Sequence, residues 1–183
     1  MELQGNVALV TGAGSGIGRA TALRLARDGA IVGVLSRTRE EVESTAREIK
    51  EMGAEAIALT ADISDAGQIQ AAVRLLVDEY GRLDIVFANA GINGVWAPID
   101  ELQPEEWDRT ININLRGTFL TLHYTVPHLK KAGGGSIIIP HPSMERGRSP
   151  PPERLPIPAR RPHRSRWPKC WPSSSPNTRY GSM

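Results

Sequence analysis

Five short apolar runs alternate along the chain with stretches in which apolar residues recur at helical spacing. The runs predict strands at 6–10, 30–35, 55–59, 83–88 and 136–139. The periodic stretches predict helices at 17–28, 38–52 and 66–80, each followed by a glycine. A further helical stretch opens at Pro104, and its apolar face is continued by Leu115, Phe119, Leu122, Val126 and Leu129.

The alternation of strands and helices predicts an α/β fold. The strands are apolar throughout rather than alternating, which is typical of a parallel sheet covered by helices on both faces. Such doubly wound sheets bind ligands beyond the carboxyl ends of their strands, where the strand order reverses. We therefore expect the functional site at that edge.

Composition divides the chain near Pro140. Residues 1–139 carry 13 basic and 18 acidic side chains, whereas residues 140–183 carry 9 basic and 2 acidic ones. Eleven of the 14 prolines also lie in the second part, which has few branched aliphatic residues. We predict a folded domain at 1–139 and a disordered, basic, proline-rich tail at 140–183.

Other features exclude several classes of protein. The single cysteine, Cys170, rules out an internal disulfide and a zinc site built from cysteines. The first residues do not resemble a signal peptide, and no apolar run approaches the ~20 residues of a membrane-spanning helix. We expect a cytoplasmic protein without a bound metal.

A glycine-rich motif, T-G-x-x-x-G-x-G, joins the first predicted strand to the first helix. Its residues are Thr11, Gly12, Gly16 and Gly18, with Ser15 and Ile17 between them. Glycines at this turn allow the backbone to approach a pyrophosphate, and the following helix N-terminus offers free N–H groups. The motif indicates nucleotide binding, although a flexible turn is the simpler alternative.

Three more motifs follow in order: Asp62-Ile63 after the third strand, Asn89-Ala90-Gly91 after the fourth, and Asn114 in the long helix. With the glycine motif, they make residues 5–139 resemble the classical short-chain dehydrogenase/reductase family. The resemblance implies a Rossmann-type fold, an NAD(P) cofactor and an oxidoreductase that moves a hydride between the nicotinamide and an alcohol or carbonyl carbon.

The resemblance also assigns roles to these residues. Thr11, Gly12, Ser15, Gly16, Ile17 and Gly18 would form the cofactor loop, and Asp62 and Ile63 would hold the adenine. Asn89, Ala90 and Gly91 would form the floor under the nicotinamide ribose, and Asn114 would hold a water of the proton relay. Asp62 as a turn cap, Asn89 as a structural turn residue and Asn114 as a helix-bending residue remain alternatives.

The second strand ends without the carboxylate that would bind the ribose 2′-hydroxyl of NAD. Arg37 stands beside that position, where its guanidinium could pair with a 2′-phosphate. We predict NADP as the cofactor, with NAD as the alternative and a solvated Arg37 as the simpler interpretation.

Four further side chains receive lesser roles. His123 and His128 are expected to be surface or core residues rather than metal ligands, since their spacing of five puts them on different faces of the helix. Trp96 and Trp107 are expected to be packing residues, with contact to the substrate as an alternative for Trp96.

The catalytic groups of the family have no match here. The resemblance implies a Ser after the fifth strand and a Tyr-x-x-x-Lys soon afterwards, but the last tyrosine is Tyr180 and no Tyr-x-x-x-Lys occurs in the 183 residues. Ser143 follows His141-Pro142 and is a poor candidate. We therefore expect this chain to lack dehydrogenase activity. A dinucleotide-binding pseudoenzyme fragment with a basic tail is the alternative function.

A shift of reading frame explains the missing groups. If the frame slips by one base near Ile139, codons that overlap 140–142 can encode Ser-Ser, and those that overlap 156–161 can encode Tyr-x-x-x-Lys. Residues 167–182 can then read A-K-M-L-A-L-E-L-A-K-H-A-I-R-V-N, which resembles the next helix and strand of the family. We predict such a frameshift in the gene or its sequencing. The resemblance implies a small-molecule partner. Family-type oligomers, nucleic acid and membranes are not expected as partners.

Overall fold

Apolar strands at the centre and amphipathic helices on either side organise the chain. The computed structural model describes residues 2–140, and the predictions for the tail, Ser143, Cys170 and Tyr180 lie outside them. The strands are β1 (Val7–Thr11), β2 (Ile31–Ser36), β3 (Ala56–Thr60), β4 (Ile85–Ala88) and β5 (Ser136–Ile138). The helices are α1 (Gly16–Arg27), α2 (Arg39–Glu51), α3 (Ala66–Tyr80), α4 (Pro104–Ile111) and α5 (Gly117–Lys131).

The five strands form one parallel sheet in the order β3-β2-β1-β4-β5. This confirms the predicted α/β, Rossmann-type doubly wound fold, with strand and helix limits within two residues of expectation. The strand order reverses between β1 and β4, so the carboxyl ends of these two strands flank the crevice in which such sheets bind ligands.

Alternate residues of β1, β2, β3 and β4 enter two separate cores. Leu9 and Val86 pack with Ile69 and Leu76 of α3 and with Leu129 of α5. On the other face, Val10 and Val34 pack with residues of α1 and α2, among them Leu23, Val42 and Ile49. β1, β2 and β4 are therefore covered on both sides, as their continuous apolar character requires.

The stretch that opens at Pro104 is not one regular helix. A π-helical turn, Asn112–Arg116, lies between α4 and α5. Only Leu129 of the predicted apolar face is fully buried, whereas Leu115 and Phe119 are 65% and 59% exposed. The positions that face the core are instead Ile113, Leu120, Thr121 and Thr125, because the wide turn changes the angular position of the residues around it.

Among residues 2–140, no helix is both long and apolar enough to cross a bilayer.

Candidate functional site

The glycine loop is shaped by a close approach of two backbones. Gly12 has a φ of +66°, and a Cβ on it would lie 3.0 Å from the Cα of Ala90. A Cβ on Gly18 would collide with the carbonyl oxygen of Gly12 and lie 2.7 Å from Nδ2 of Asn89. The structure therefore gives a steric reason for glycine at both positions.

The N-terminus of α1 opens at the end of this loop. Ser15 is the N-cap residue in extended conformation, and its side chain makes no capping hydrogen bond. Gly16 has a φ of +54°, Ile17 is 69% exposed, and no acidic residue lies in the first turn. The first N–H groups and the positive end of the helix dipole are thus not opposed by a negative charge of α1 itself, which suits an anion, while Glu41 of the next helix lies close to Gly14 of the loop.

The turn after β4 is attached to the end of β1. The buried Oγ1 of Thr11 accepts hydrogen bonds from the backbone N–H groups of Asn89 and Ala90, both at 3.0 Å. Nδ2 of Asn89 donates back to the carbonyl oxygen of Thr11 at 3.3 Å. Asn89 therefore braces the two strands, which supports its interpretation as a structural turn residue without excluding a contact to a ligand.

The loop after β3 forms the opposite wall. Oδ1 of Asp62 accepts from the N–H of Ser64 at 2.8 Å and from its hydroxyl at 2.7 Å, so Asp62 does cap the following turn. No hydrogen bond within the described residues reaches its Oδ2, which leaves one carboxylate oxygen for a ligand. Ile63 is buried between this loop and Gly117, where a Cβ would lie 2.6 Å from Cδ1 of Ile63.

The end of β2 brings two opposite charges to one cleft. Arg37 is exposed and lines the cleft with Ser36 and Thr38, as predicted from its place after the strand. Glu41, in the first turn of α2, also lines it and lies against Gly14. Sequence reasoning missed Glu41; its position four residues beyond Arg37, at the start of α2, was the available signal.

Asn114 lies in the π-helical turn and uses both polar atoms of its side chain. Its Oδ1 accepts from the N–H of Ile92, and its Nδ2 donates to the carbonyl oxygen of Ile92, both at 2.8 Å. This pair attaches the turn to the residue after Asn89-Ala90-Gly91. Its backbone carbonyl oxygen accepts the hydroxyl of Thr118 at 2.7 Å.

Six of the twelve predicted cofactor residues line a single cleft, whereas Thr11, Ser15, Gly16, Ile17, Gly18 and Asn89 do not. Gly12, Arg37, Asp62, Ile63, Ala90 and Gly91 line it together with Ser36, Thr38, Glu41, Ala61, Ile92 and Ile113. Gly18 and Asn89 lie directly behind Gly12, and Asn114 lies behind Gly91. The cleft and its surroundings suit the parts of a dinucleotide. The glycine loop and the N-terminus of α1 suit its phosphates, and the guanidinium and carboxylate suit its ribose and adenine.

The prediction that Trp96 and Trp107 are packing residues was wrong, since both are largely exposed. Trp96 is 81% exposed and Trp107 is 54% exposed, because the loop after β4 and the short α4 contribute little to the core. His123 is exposed and His128 is half-buried. Within residues 2–140, no three His, Cys, Asp or Glu side chains gather as metal ligands.

Fold and site together define a doubly wound, parallel α/β protein with a cleft at its topological switch point. The family model for short chain dehydrogenases matches residues 6–141. The chain belongs to this short-chain dehydrogenase family.

Three known proteins illustrate the likeness. Cyclohexanol dehydrogenase of Acinetobacter sp. strain SE19 is 41% identical over 137 residues, which are 75% of this chain and 55% of that protein. The crystal structure of a 3-ketoacyl-ACP reductase from Sinorhizobium meliloti 1021 is 68% identical, with a TM-score of 0.72, over 73% of this chain and 52% of that one. A metagenomic short-chain oxidoreductase in complex with NADP is 36% identical, with a TM-score of 0.72, over 76% of this chain and 63% of that one. The chain thus spans about half the length of the curated relatives it matches.

Proposed function

We propose that residues 1–139 are the NAD(P)-binding part of a cytoplasmic short-chain oxidoreductase that acts on an alcohol or carbonyl group of a small molecule. The observation that carries the proposal is the contact of Gly12 and Gly18 with Asn89 and Ala90 beneath the bare N-terminus of α1. Family membership and the likeness to an NADP complex support it.

The residues divide the work of binding. The N–H groups at Ser15, Gly16 and Ile17 would hold the pyrophosphate, and Asp62 and Ile63 would hold the adenine. Asn89, Ala90 and Gly91 would support the nicotinamide ribose. When bound, the nicotinamide supplies the hydride chemistry, and the protein supplies its orientation. Asn114 would fix this floor through Ile92 and take part in the proton relay.

The preference for NADP rests on Arg37. Its guanidinium can pair with a 2′-phosphate in a bidentate manner, and no carboxylate ends β2. Glu41 lines the same cleft and opposes a second negative charge, so NAD remains the alternative.

We further propose that the 183-residue chain binds the dinucleotide without catalysing hydride transfer. Proton transfer from a tyrosine at neutral pH needs a neighbouring cation, and the sequence contains no Tyr-x-x-x-Lys. Sequencing the source DNA across the codons of 136–183 tests the frameshift. A one-base difference that restores Ser-Ser and Tyr-x-x-x-Lys would assign the activity to a longer product, whereas the base order as translated here would contradict the frameshift.

Calorimetric titration of the purified chain with NADPH and NADH tests the binding. We expect NADPH to bind more tightly than NADH. Arg37→Met should lower the affinity for NADPH by about tenfold and leave the affinity for NADH nearly unchanged, since one charge-assisted pair is lost. Arg47→Met is the matched control, because Arg47 is exposed on α2 and does not line the cleft. No binding of either dinucleotide by a chain with native circular dichroism would overturn the proposal.

A further inference from the structure

We propose that Arg116 is a positioning residue that anchors the Asp62–Asp65 loop to the π-helical turn Asn112–Arg116 and thereby sets the affinity for the adenine half of the cofactor. The inference rests on the proposed function and deepens it, since it concerns a side chain that does not line the cleft.

Arg116 reaches the loop from the last position of the π-helical turn. Its Nη1 donates to the carbonyl oxygen of Ser64, which is 52 residues away in the sequence. The same nitrogen lies 3.4 Å from Oδ1 of Asn112, one helical turn earlier, which restrains the guanidinium. A charged donor to a carbonyl makes a stronger hydrogen bond than a neutral one.

Ser64 transmits this anchoring to the cleft. Its N–H and hydroxyl both donate to Oδ1 of Asp62, which fixes the orientation of the carboxylate that faces the cleft. The N–H of Asp65 donates to the carbonyl oxygen of Asp62 at 3.1 Å, which closes the turn. Movement of Ser64 would therefore rotate the free Oδ2 of Asp62 away from its position.

The π-helical turn also holds the other end of the site. Asn114 pairs with the backbone of Ile92, and Gly117 lies against Ile63 without room for a side chain. One short segment thus attaches both the loop after β3 and the loop after β4. Single π-helical turns are frequent at functional sites, and here the widened turn points Asn114 and Arg116 to different loops.

Electrostatics of the loop agree with this arrangement. The pKa of the Asp65 carboxyl is lowered, mainly by the hydrogen bond from the backbone N–H of Gln68, and the charge of Arg116 lowers it further. Arg116 therefore lies close enough to the loop for its charge to act on the Asp65 carboxylate as well as on the Ser64 carbonyl.

Binding of the two halves of the cofactor to the full chain tests the inference. The probes are adenosine 2′,5′-bisphosphate and nicotinamide mononucleotide, titrated against the unsubstituted chain, Arg116→Met and Arg116→Lys. We expect Arg116→Met to lower the affinity for adenosine 2′,5′-bisphosphate by about tenfold, as for one lost charge-assisted hydrogen bond. The affinity for nicotinamide mononucleotide should fall by less than about twofold. Arg116→Lys, which keeps a charged donor, should recover most of the loss. Arg74→Met is the matched control, since Arg74 is exposed on α3 and faces Asp78.

Two further measurements separate positioning from a general structural role. In an Asp62→Ala background, Arg116→Met should no longer change adenine binding, because Arg116 acts through Asp62. Hydrogen exchange of the unliganded chain should accelerate at the amides of 62–65 in Arg116→Met and stay unchanged in Arg74→Met.

The outcomes are distinct. Equal weakening of both probes together with a lower melting temperature would show a merely structural role and overturn the inference. Unchanged adenine binding by Arg116→Met would overturn it while leaving the proposed function intact. Failure of the unsubstituted chain to bind either probe would overturn the proposed function and this inference with it.

Discussion

The centre of the sheet and its β5 margin use the same kind of sequence in different surroundings. Every residue of β1 and β4 is buried, whereas all three residues of β5 are exposed. Ile137, Ile138 and Ile139 remain 41%, 46% and 52% exposed, and within residues 2–140 β5 pairs only with β4. The cleft lies at the centre, where the sheet is covered on both faces.

This difference shows that an apolar run identifies a strand but does not tell whether helices pack on both of its faces. Exposed apolar strands at a sheet edge favour association between chains. Leu115 in the π-helical turn and Phe119 in α5 are also exposed apolar side chains. We therefore expect stability to come from the centre and aggregation from the margin.

The largest expected effect compares one residue of each region. Leu9→Ala in β1 should lower the free energy of unfolding by about 2–5 kcal/mol, because Leu9 is completely buried. Ile138→Ala in β5 should lower it by about 1 kcal/mol or less, since half of its side chain already faces water. Urea unfolding followed by circular dichroism measures both. Equal losses would contradict the division between centre and margin.

Within the centre, Gly18→Ala should abolish tight cofactor binding. The new Cβ would collide with the carbonyl oxygen of Gly12 and press on Asn89, which displaces the loop. We expect NADPH to bind about a hundredfold more weakly, equivalent to ~3 kcal/mol of overpacking. Gly67→Ala is the control, because a Cβ there meets only Asp65 Oδ1 at 3.4 Å. Unaltered NADPH affinity in Gly18→Ala would refute the close-approach argument.

Asp84 connects the centre to the margin and gives the chain a pH dependence. Burial opposes its ionisation, but the guanidinium of Arg82 and the N–H of Val7 outweigh burial, so the pKa of Asp84 is lowered. Its backbone carbonyl also accepts from Ser136 of β5 at 2.8 Å. A lowered folded-state pKa means that the stabilisation is complete above the unfolded-state pKa of about 3.9 and is lost as the pH falls below it.

Asp84→Asn should therefore be less stable than the unsubstituted chain by about 2 kcal/mol at pH 7, since a charged acceptor of three hydrogen bonds is replaced. The difference in free energy of unfolding between the two chains should be constant from pH 7 to about 5 and should narrow below about pH 4. Urea unfolding at a series of pH values checks this. A gap that widens towards acid would show the opposite sign of coupling. Asp78→Asn, at an exposed position on α3, is the control.

The smallest expected effect concerns the balance between Arg37 and Glu41. Glu41→Gln removes a negative charge from the cleft. It should raise the affinity for NADPH by about threefold, as for a solvent-exposed charge pair, and change the affinity for NADH little. Glu40→Gln is the control, because Glu40 is in the same helical turn but does not line the cleft. Equal changes for both dinucleotides would show that Glu41 does not sense the 2′-position.

The sequence predicted the glycine loop, the five strands and the β3 and β4 turns because each depends on local chemistry. Gly12 and Gly18 mark a backbone approach that only glycine permits, and Asp62 and Asn89 stand directly after apolar strands. Glu41, by contrast, enters the cleft because α2 packs beside the glycine loop. The approach of a surface side chain such as Glu41 leaves little trace in a single sequence, whereas a close backbone approach is marked by glycine.

The stretch after Pro104 was harder to predict for a related reason. Within the π-helical turn, Asn114 pairs with a backbone 22 residues away, and helical periodicity does not report such a bond. The same applies to Trp107, whose aromatic side chain suggested packing but lies on a helix without any buried residue. Arg116 and Ser64 meet only after α3 and α5 have packed together.

The strand order also places the two walls of the cleft far apart in the sequence. β1 pairs with β2 across a short connection, but Ala8 finds its other partner, Ile85, only after 77 further residues. Closing so long a loop carries an entropic cost, and contacts between distant residues slow folding. During synthesis, a β1-β2-β3 unit can therefore assemble before its central edge is covered. The cleft needs β4 beside β1, and a ligand that binds there would favour this long-range contact.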